Sequence, residues 1–286
     1  MNKLFFIILF NLQSAVVFAD SDVSFGVERS IESSVLKEHR TYYVYLPPSY
    51  NQSSTQYPVV YLLDGDVHRW KVVAGMLEGL STATLDHQIV ESIVVAVPSS
   101  ENAIRERDLT PTNVAKWTFK GEILEEFDNS TGNADRYLMF FKDELMPEIN
   151  NKYRTSDQRI IVGESFGGLF AAYALLKEAS VFTDYLIIDP TSIWDDNYLN
   201  RKYAKLDFVE RNLNARVYMG FANNSALGDI GVTNLEWGRE FAANIALNRS
   251  ESFSVREQYF EDESHGTVAL MSWYNGFKYL LRKETQ

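Results

Sequence analysis

The segment Gly163-Glu164-Ser165-Phe166-Gly167-Gly168 joins the apolar run 159–162 to the helix-forming run 169–176. That order is strand, tight turn and helix, with a serine on the turn. A serine so placed takes a strained backbone conformation, and its neighbours must carry almost no side-chain bulk if strand and helix are to approach closely. Gly163 and Gly167 meet that need, so the segment reads as a nucleophile elbow. The competing reading is a glycine-rich turn whose serine only caps the helix.

The rest of the chain tells in favour of the elbow. The early part holds β-rich runs near 23–35 and 40–46, the second closed by Pro47-Pro48. The runs 58–63 and 93–97 are nearly continuous in Val, Leu and Ile, as in strands buried on both faces of a parallel sheet. Helical patterns over 70–80, 137–150, 169–178, 234–247 and 268–281 alternate with strand patterns over 160–162, 185–188, 217–221 and 254–260. Such alternation predicts a mostly parallel sheet with helices on both faces and antiparallel strands at its amino-terminal edge. Ligands of such sheets bind beyond the carboxyl ends of the strands, where Ser165 lies. The polar stretch between Pro98 and Asp135 is longer than a connector needs to be, which points to a functional cover.

Composition narrows the setting. Residues 1–19 carry Lys3, an apolar stretch and the small-residue end Val17-Phe18-Ala19, the pattern of a cleaved signal peptide. The expected organisation is therefore a leader over 1–19 and one domain over 20–286, in the periplasm or the medium. No other segment is long and apolar enough to span a membrane. There is no cysteine among the 286 residues, which excludes a thiol nucleophile and disulfides. A formal charge of −12 argues against a nucleic-acid partner.

Serine needs a base within hydrogen-bond reach, and imidazole serves near neutral pH. Of the four histidines, His39 and His87 read as surface residues, and His68 precedes the serine in the chain. His265 follows the last strand and precedes the last helix. In the α/β-hydrolase arrangement the order is serine, acid, histidine, with the histidine in that final loop. The acid has more than one candidate. Its usual place, after the strand 217–221, reads Ala222-Asn223-Asn224, and Asp229 follows in the same loop. Glu236 is accounted for as the partner of Thr233 in a helix capping box. Asp189, closing the strand 185–188 before Pro190, projects toward the same crevice as Ser165. A Ser-His dyad stays open.

For the oxyanion, one donor is expected to be the Phe166 N–H and the other the Asp66 N–H, freed by Gly65. Asp64 and Asp66 could also suggest metal ligation, but no cluster of ligands accompanies them. Trp194, Trp117 and Trp70 are candidates to line a pocket, or else ordinary core. Arg107, with Arg69 and Arg105, is a candidate for the substrate mouth.

The succession of residues 57–66, Arg107-Asp108-Leu109-Thr110-Pro111, 163–168, Ser192-Ile193-Trp194-Asp195 and Ser264-His265-Gly266-Thr267-Val268 resembles the putative-esterase family, which includes esterase D and the enterochelin and salmochelin esterases. The resemblance covers nearly all of the chain after residue 19. It implies an α/β-hydrolase fold, no metal or organic cofactor, and hydrolysis of a small-molecule ester through an acyl-enzyme on Ser165. Where relatives carry an acid, Asn223-Asn224 stands here, so that role does not carry over. The expected activity is carboxylester hydrolysis on short-chain or aryl substrates. A siderophore trilactone is the second reading, and an exported binding protein on a hydrolase scaffold the third.

Overall fold

The structure is a computed structural model that describes residues 24–83, 89–99, 101–128, 130–206, 214–248 and 251–283. The expected leader and His87 lie outside the described residues. Ten strands are present among them: β1 (Val27–Ser33), β2 (Glu38–Tyr45), β3 (Tyr57–Leu63), β4 (Ile93–Val97), β5 (Lys116–Phe119), β6 (Glu122–Glu126), β7 (Thr155–Glu164), β8 (Asp184–Ile188), β9 (Arg216–Ala222) and β10 (Ser254–Phe260). The helices are α1 (Val67–Ser81), α2 (Asn102–Leu109), α3 (Ala134–Phe140), α4 (Met146–Lys152), α5 (Phe166–Glu178), α6 (Tyr198–Ala204), α7 (Asp229–Ala246) and α8 (Val268–Leu280).

Eight strands form one sheet in the order β1-β2-β4-β3-β7-β8-β9-β10, and β5 and β6 pair as a separate hairpin. β1 runs antiparallel to β2, and β2 antiparallel to β4; from β4 to β10 every pairing is parallel. This is the α/β-hydrolase arrangement, with its antiparallel strands at the amino-terminal edge.

Side-chain alternation divides the interior in two, because successive residues of a strand face opposite ways. Tyr61, Ile161, Ile187 and Met219 face one layer, which α3 to α7 cover. Leu62, Val162, Leu186 and Tyr218 face the other, which α1 and α8 cover. Each such Leu, Ile or Val is fully buried and contributes roughly 1.5–3 kcal/mol. The backbone of α8 comes close at Gly276, where a Cβ would stand 2.6 Å from Leu186 Cδ1.

Three elements differ from expectation. The helix expected over 137–150 is α3 and α4 joined by a π-helical turn at Phe141–Leu145. Pro147 explains it: proline has no N–H to give and crowds the carbonyl four residues back, so the helix widens just before it. α7 begins at Asp229, not near 234, so Thr233 and Glu236 lie inside the helix and form no capping box. The polar stretch after Pro98 contains α2 and the β5–β6 hairpin.

Candidate active site

Five parallel strands deliver their carboxyl ends to one crevice. Asp64 follows β3, Ser165 follows β7, Asp189 follows β8, Asn224 lies just beyond β9, and His265 lies beyond β10. Among these, Asp64, Ser165 and Asp189 have φ of 49°, 60° and 37°. L-residues hold such angles at a cost of about 1–3 kcal/mol each, which the surrounding structure must supply.

At Ser165 that support is visible. Its N–H donates to the Ile188 carbonyl at 3.0 Å, and its carbonyl accepts from Thr191 N–H at 3.1 Å and Leu169 N–H at 2.9 Å. The close approaches fall at Gly163 and Gly168. A Cβ at Gly163 would meet the Gly167 carbonyl oxygen at 2.1 Å, and one at Gly168 the Ile188 carbonyl oxygen at 2.9 Å. At Gly167 a Cβ would find only ordinary contact, nearest Asp64 Oδ2 at 3.4 Å. The glycine that matters beside Gly163 is thus Gly168 rather than Gly167.

Asp189 is wholly buried. Its Oδ2 accepts from His265 Nδ1 at 2.5 Å and from Asn224 Nδ2 at 2.7 Å, while Oδ1 faces Ala222 N–H at 3.4 Å. The hydrogen bond to Asp189 holds the His265 imidazole above the ordinary histidine range; burial opposes this, the charges of Asp189 and Glu164 add to it, and Arg105 subtracts. Ser165 and His265 both line a cavity of about 160 Å³, together with Trp117, Thr191, Ile193, Asn224, Leu227, Ile230 and Asn234. Ser165 Oγ contacts Thr191 Oγ1 at 3.4 Å.

The Phe166 N–H is the first of α5, and among the described residues no backbone bond outside the helix takes it up. The Asp66 N–H differs from expectation: it turns back on the Asp64 carbonyl at 3.0 Å, while Gly65 N–H donates to Val97 O at 3.0 Å. A second polar recess, lined by Asp64, Asp66, Arg69, Ser99, Asn102 and Arg105, flanks the elbow. Arg105 pairs with Asp64 at 3.0 Å and lies over the Phe166 ring, and Arg69 pairs with the buried Glu164. Among the described residues no three His, Asp or Glu side chains are grouped to hold a metal ion.

Two expected pocket residues lie elsewhere. Trp194 is fully buried beneath the site; its Nε1 donates to Thr112 Oγ1 at 2.9 Å, and its ring packs against Trp117, Phe127 and Phe166. Arg107 faces away, bonded to Glu38 at 2.7 Å and 3.0 Å and to Asp108. Residues two apart on a helix point to different sides, so Arg105 reaches the elbow and Arg107 cannot. Trp70 is core. His39 and His68 are exposed, and Asp229 is an exposed residue paired with Lys120 at 2.7 Å. Sequence reasoning missed Thr191 and Asn234 as lining residues; their only signal was position after a strand end or on a covering helix.

The family model described as putative esterase matches residues 33–273. An IroE-like serine hydrolase from Shewanella oneidensis has a similar structure, with a TM-score of 0.78 and 30% identity over 90% of this chain and 80% of that one. The ferri-bacillibactin esterase BesA of Bacillus subtilis is 29% identical over 185 residues, 62% of this chain and 62% of that protein. The uncharacterized protein YbbA of Bacillus subtilis is 29% identical over 154 residues, 51% of this chain. The chain thus spans 62% and 56% of the lengths of these two curated relatives.

Proposed function

We propose that the chain, which belongs to the putative-esterase family, is a serine carboxylesterase that hydrolyses short-chain or aryl esters through an acyl-enzyme on Ser165. The observation that carries this reading is the 2.5 Å contact between His265 Nδ1 and the buried Asp189 carboxylate, on a histidine that shares its cavity with Ser165.

In the proposed mechanism His265 Nε2 takes the Ser165 proton as Oγ attacks the ester carbonyl. Asp189 fixes the tautomer and steadies the imidazolium without taking the proton. The Phe166 N–H meets the oxyanion, joined by the Asp66 N–H once it leaves the Asp64 carbonyl. The imidazolium then protonates the leaving alkoxide, and a water deprotonated by His265 releases the acid and restores the serine. Trp117, Ile193, Leu227 and Ile230 give the cavity an apolar wall suited to an acyl or aryl group. No metal or organic cofactor enters these steps.

The same reading takes residues 1–19 as a leader and 20–286 as one domain, with the enzyme exported to the periplasm or the medium, and its negative charge disfavours nucleic acid. The siderophore-ester reading is second, favoured by the name of the BesA relative and by Arg69 and Arg105 beside the elbow. Turnover of ferric and iron-free trilactones against aryl esters separates the two. Ser165→Ala is expected to abolish aryl-ester hydrolysis with the fold intact; unchanged turnover would refute the assignment. A binding protein with a dead site would also leave Ser165 unlabelled by a fluorophosphonate.

A further inference from the structure

Asn224 occupies the usual place of the acid after β9, and it is buried and hydrogen-bonded to the acid that stands elsewhere, Asp189. It is 4% exposed, its Nδ2 donates to Asp189 Oδ2 at 2.7 Å, and its carbonyl accepts Leu227 N–H at 2.9 Å. Its own Oδ1 is buried with no partner among the described residues. The neighbour Asn223 ties the loops after β9 and β10 together. Its N–H donates to Glu263 O at 2.8 Å and its Nδ2 to Glu261 O at 3.1 Å. Acid, amide and histidine are therefore joined in one hydrogen-bonded network.

We propose that Asn224 is the positioning residue of the site, its amide holding the same Asp189 oxygen that faces His265 and limiting how strongly that carboxylate draws a proton onto the imidazole. This rests on the proposed roles of Ser165, Asp189 and His265.

The reasoning is electrostatic. A buried carboxylate needs donors, and charge-assisted bonds to it are strong. Oδ2 shares its charge between Asn224 Nδ2 and His265 Nδ1, whereas among the described residues Oδ1 has the long contact to Ala222 N–H. Each donor to the ionised acid lowers the potential felt by the other. With the amide gone, Oδ2 would belong to His265 alone, the imidazolium would be held more tightly, and less neutral base would be present near neutral pH. The other charges facing His265 are Glu164 at the end of β7, itself paired with Arg69 of α1, and Arg105 of α2. Among the described residues no hydrogen bond or ion pair joins any of these to Asn224, whose side chain bonds to Asp189.

The test uses Asn224→Leu, which keeps the volume without a donor, and Asn224→Ala in case leucine disturbs folding. The His265 imidazole is titrated by NMR, and the pH dependence of kcat/KM is measured on an aryl ester. The titration midpoint is expected to move to higher pH. At pH 6 kcat/KM should fall roughly tenfold more than at its high-pH plateau. An unmoved midpoint, with or without loss of thermal stability, would overturn the proposal, because a purely structural asparagine would not tune the histidine. The NMR titration needs no turnover, so it stands apart from the Ser165→Ala test of the esterase reading.

Discussion

The floor of the site and its cover are built on different terms. Ser165, Asp189 and Asn224 follow buried strand ends, with Asp189 0% and Asn224 4% exposed and the Ser165 peptide groups hydrogen-bonded through both N–H and C=O. Above them the β5–β6 hairpin has a solvent-facing β6 throughout, with Ile123 52% exposed, and it contributes Trp117 to the cavity wall. The Trp117 ring packs 5.8 Å from Phe166 and 5.5 Å from Trp194, and its Nε1 reaches the Ile193 carbonyl at 3.4 Å. The hairpin tip is tied down by Lys120 and Asp229, both exposed. Chemistry that needs sub-ångström placement sits where the core enforces it, and selection by shape sits where the chain can vary without unfolding.

That contrast makes graded predictions. The largest effect belongs to the floor: Asp189→Asn should cost about 10⁴ in kcat, as removal of a triad acid typically does. The pH dependence goes with it. His265 is held above the ordinary histidine range, and neutral imidazole is the base. The acidic limb of kcat/KM should therefore lie on the alkaline side of an ordinary histidine, and Asp189→Asn should move it down. The same pair stabilises the fold most fully below the unfolded histidine's pKa, and that contribution is lost as pH rises through the folded value.

An intermediate effect belongs to the cover: Trp117→Ala should raise KM roughly tenfold and flatten the preference among acyl lengths, with kcat within a few-fold, since it removes wall and not machinery. A ten-thousandfold fall in kcat for Trp117→Ala would erase the distinction between floor and cover. The smallest effect is at the latch. Lys120→Ala or Asp229→Asn should leave kcat within about twofold, because exposed ion pairs contribute little. A large loss for Asp229→Asn would instead return Asp229 to the list of catalytic acids.

The same contrast explains what could be read from the sequence. The strands β3, β4, β7 and β8 were legible because burial on both faces writes runs of Val, Leu and Ile, and because glycine, proline or aspartate stops each run; β9 was legible from its apolar run over 217–221 alone. Ser165 and Asp189 inherit their positions from those stops, and His265 its place from the loop between the strand pattern over 254–260 and the last helix. The hairpin was illegible: β6 buries no face, so no period is written into it. Trp194 was ambiguous, since an aromatic after a strand end can turn toward the crevice or beneath it, and Thr112 Oγ1 gives its N–H a partner there. Arg107 required the phase of α2. Asn224 was read as a missing acid because a buried amide acquires meaning only from its partner, and that partner stands 35 residues earlier in the chain.

The central claim is that Ser165 is a nucleophile activated by His265. It is tested most directly by treating the protein with a fluorophosphonate and locating the adduct by peptide mass spectrometry. One adduct is expected, on Ser165, forming faster as pH rises through the His265 limb and lost in His265→Ala. No adduct, or labelling of Ser165 that is indifferent to His265, would contradict it.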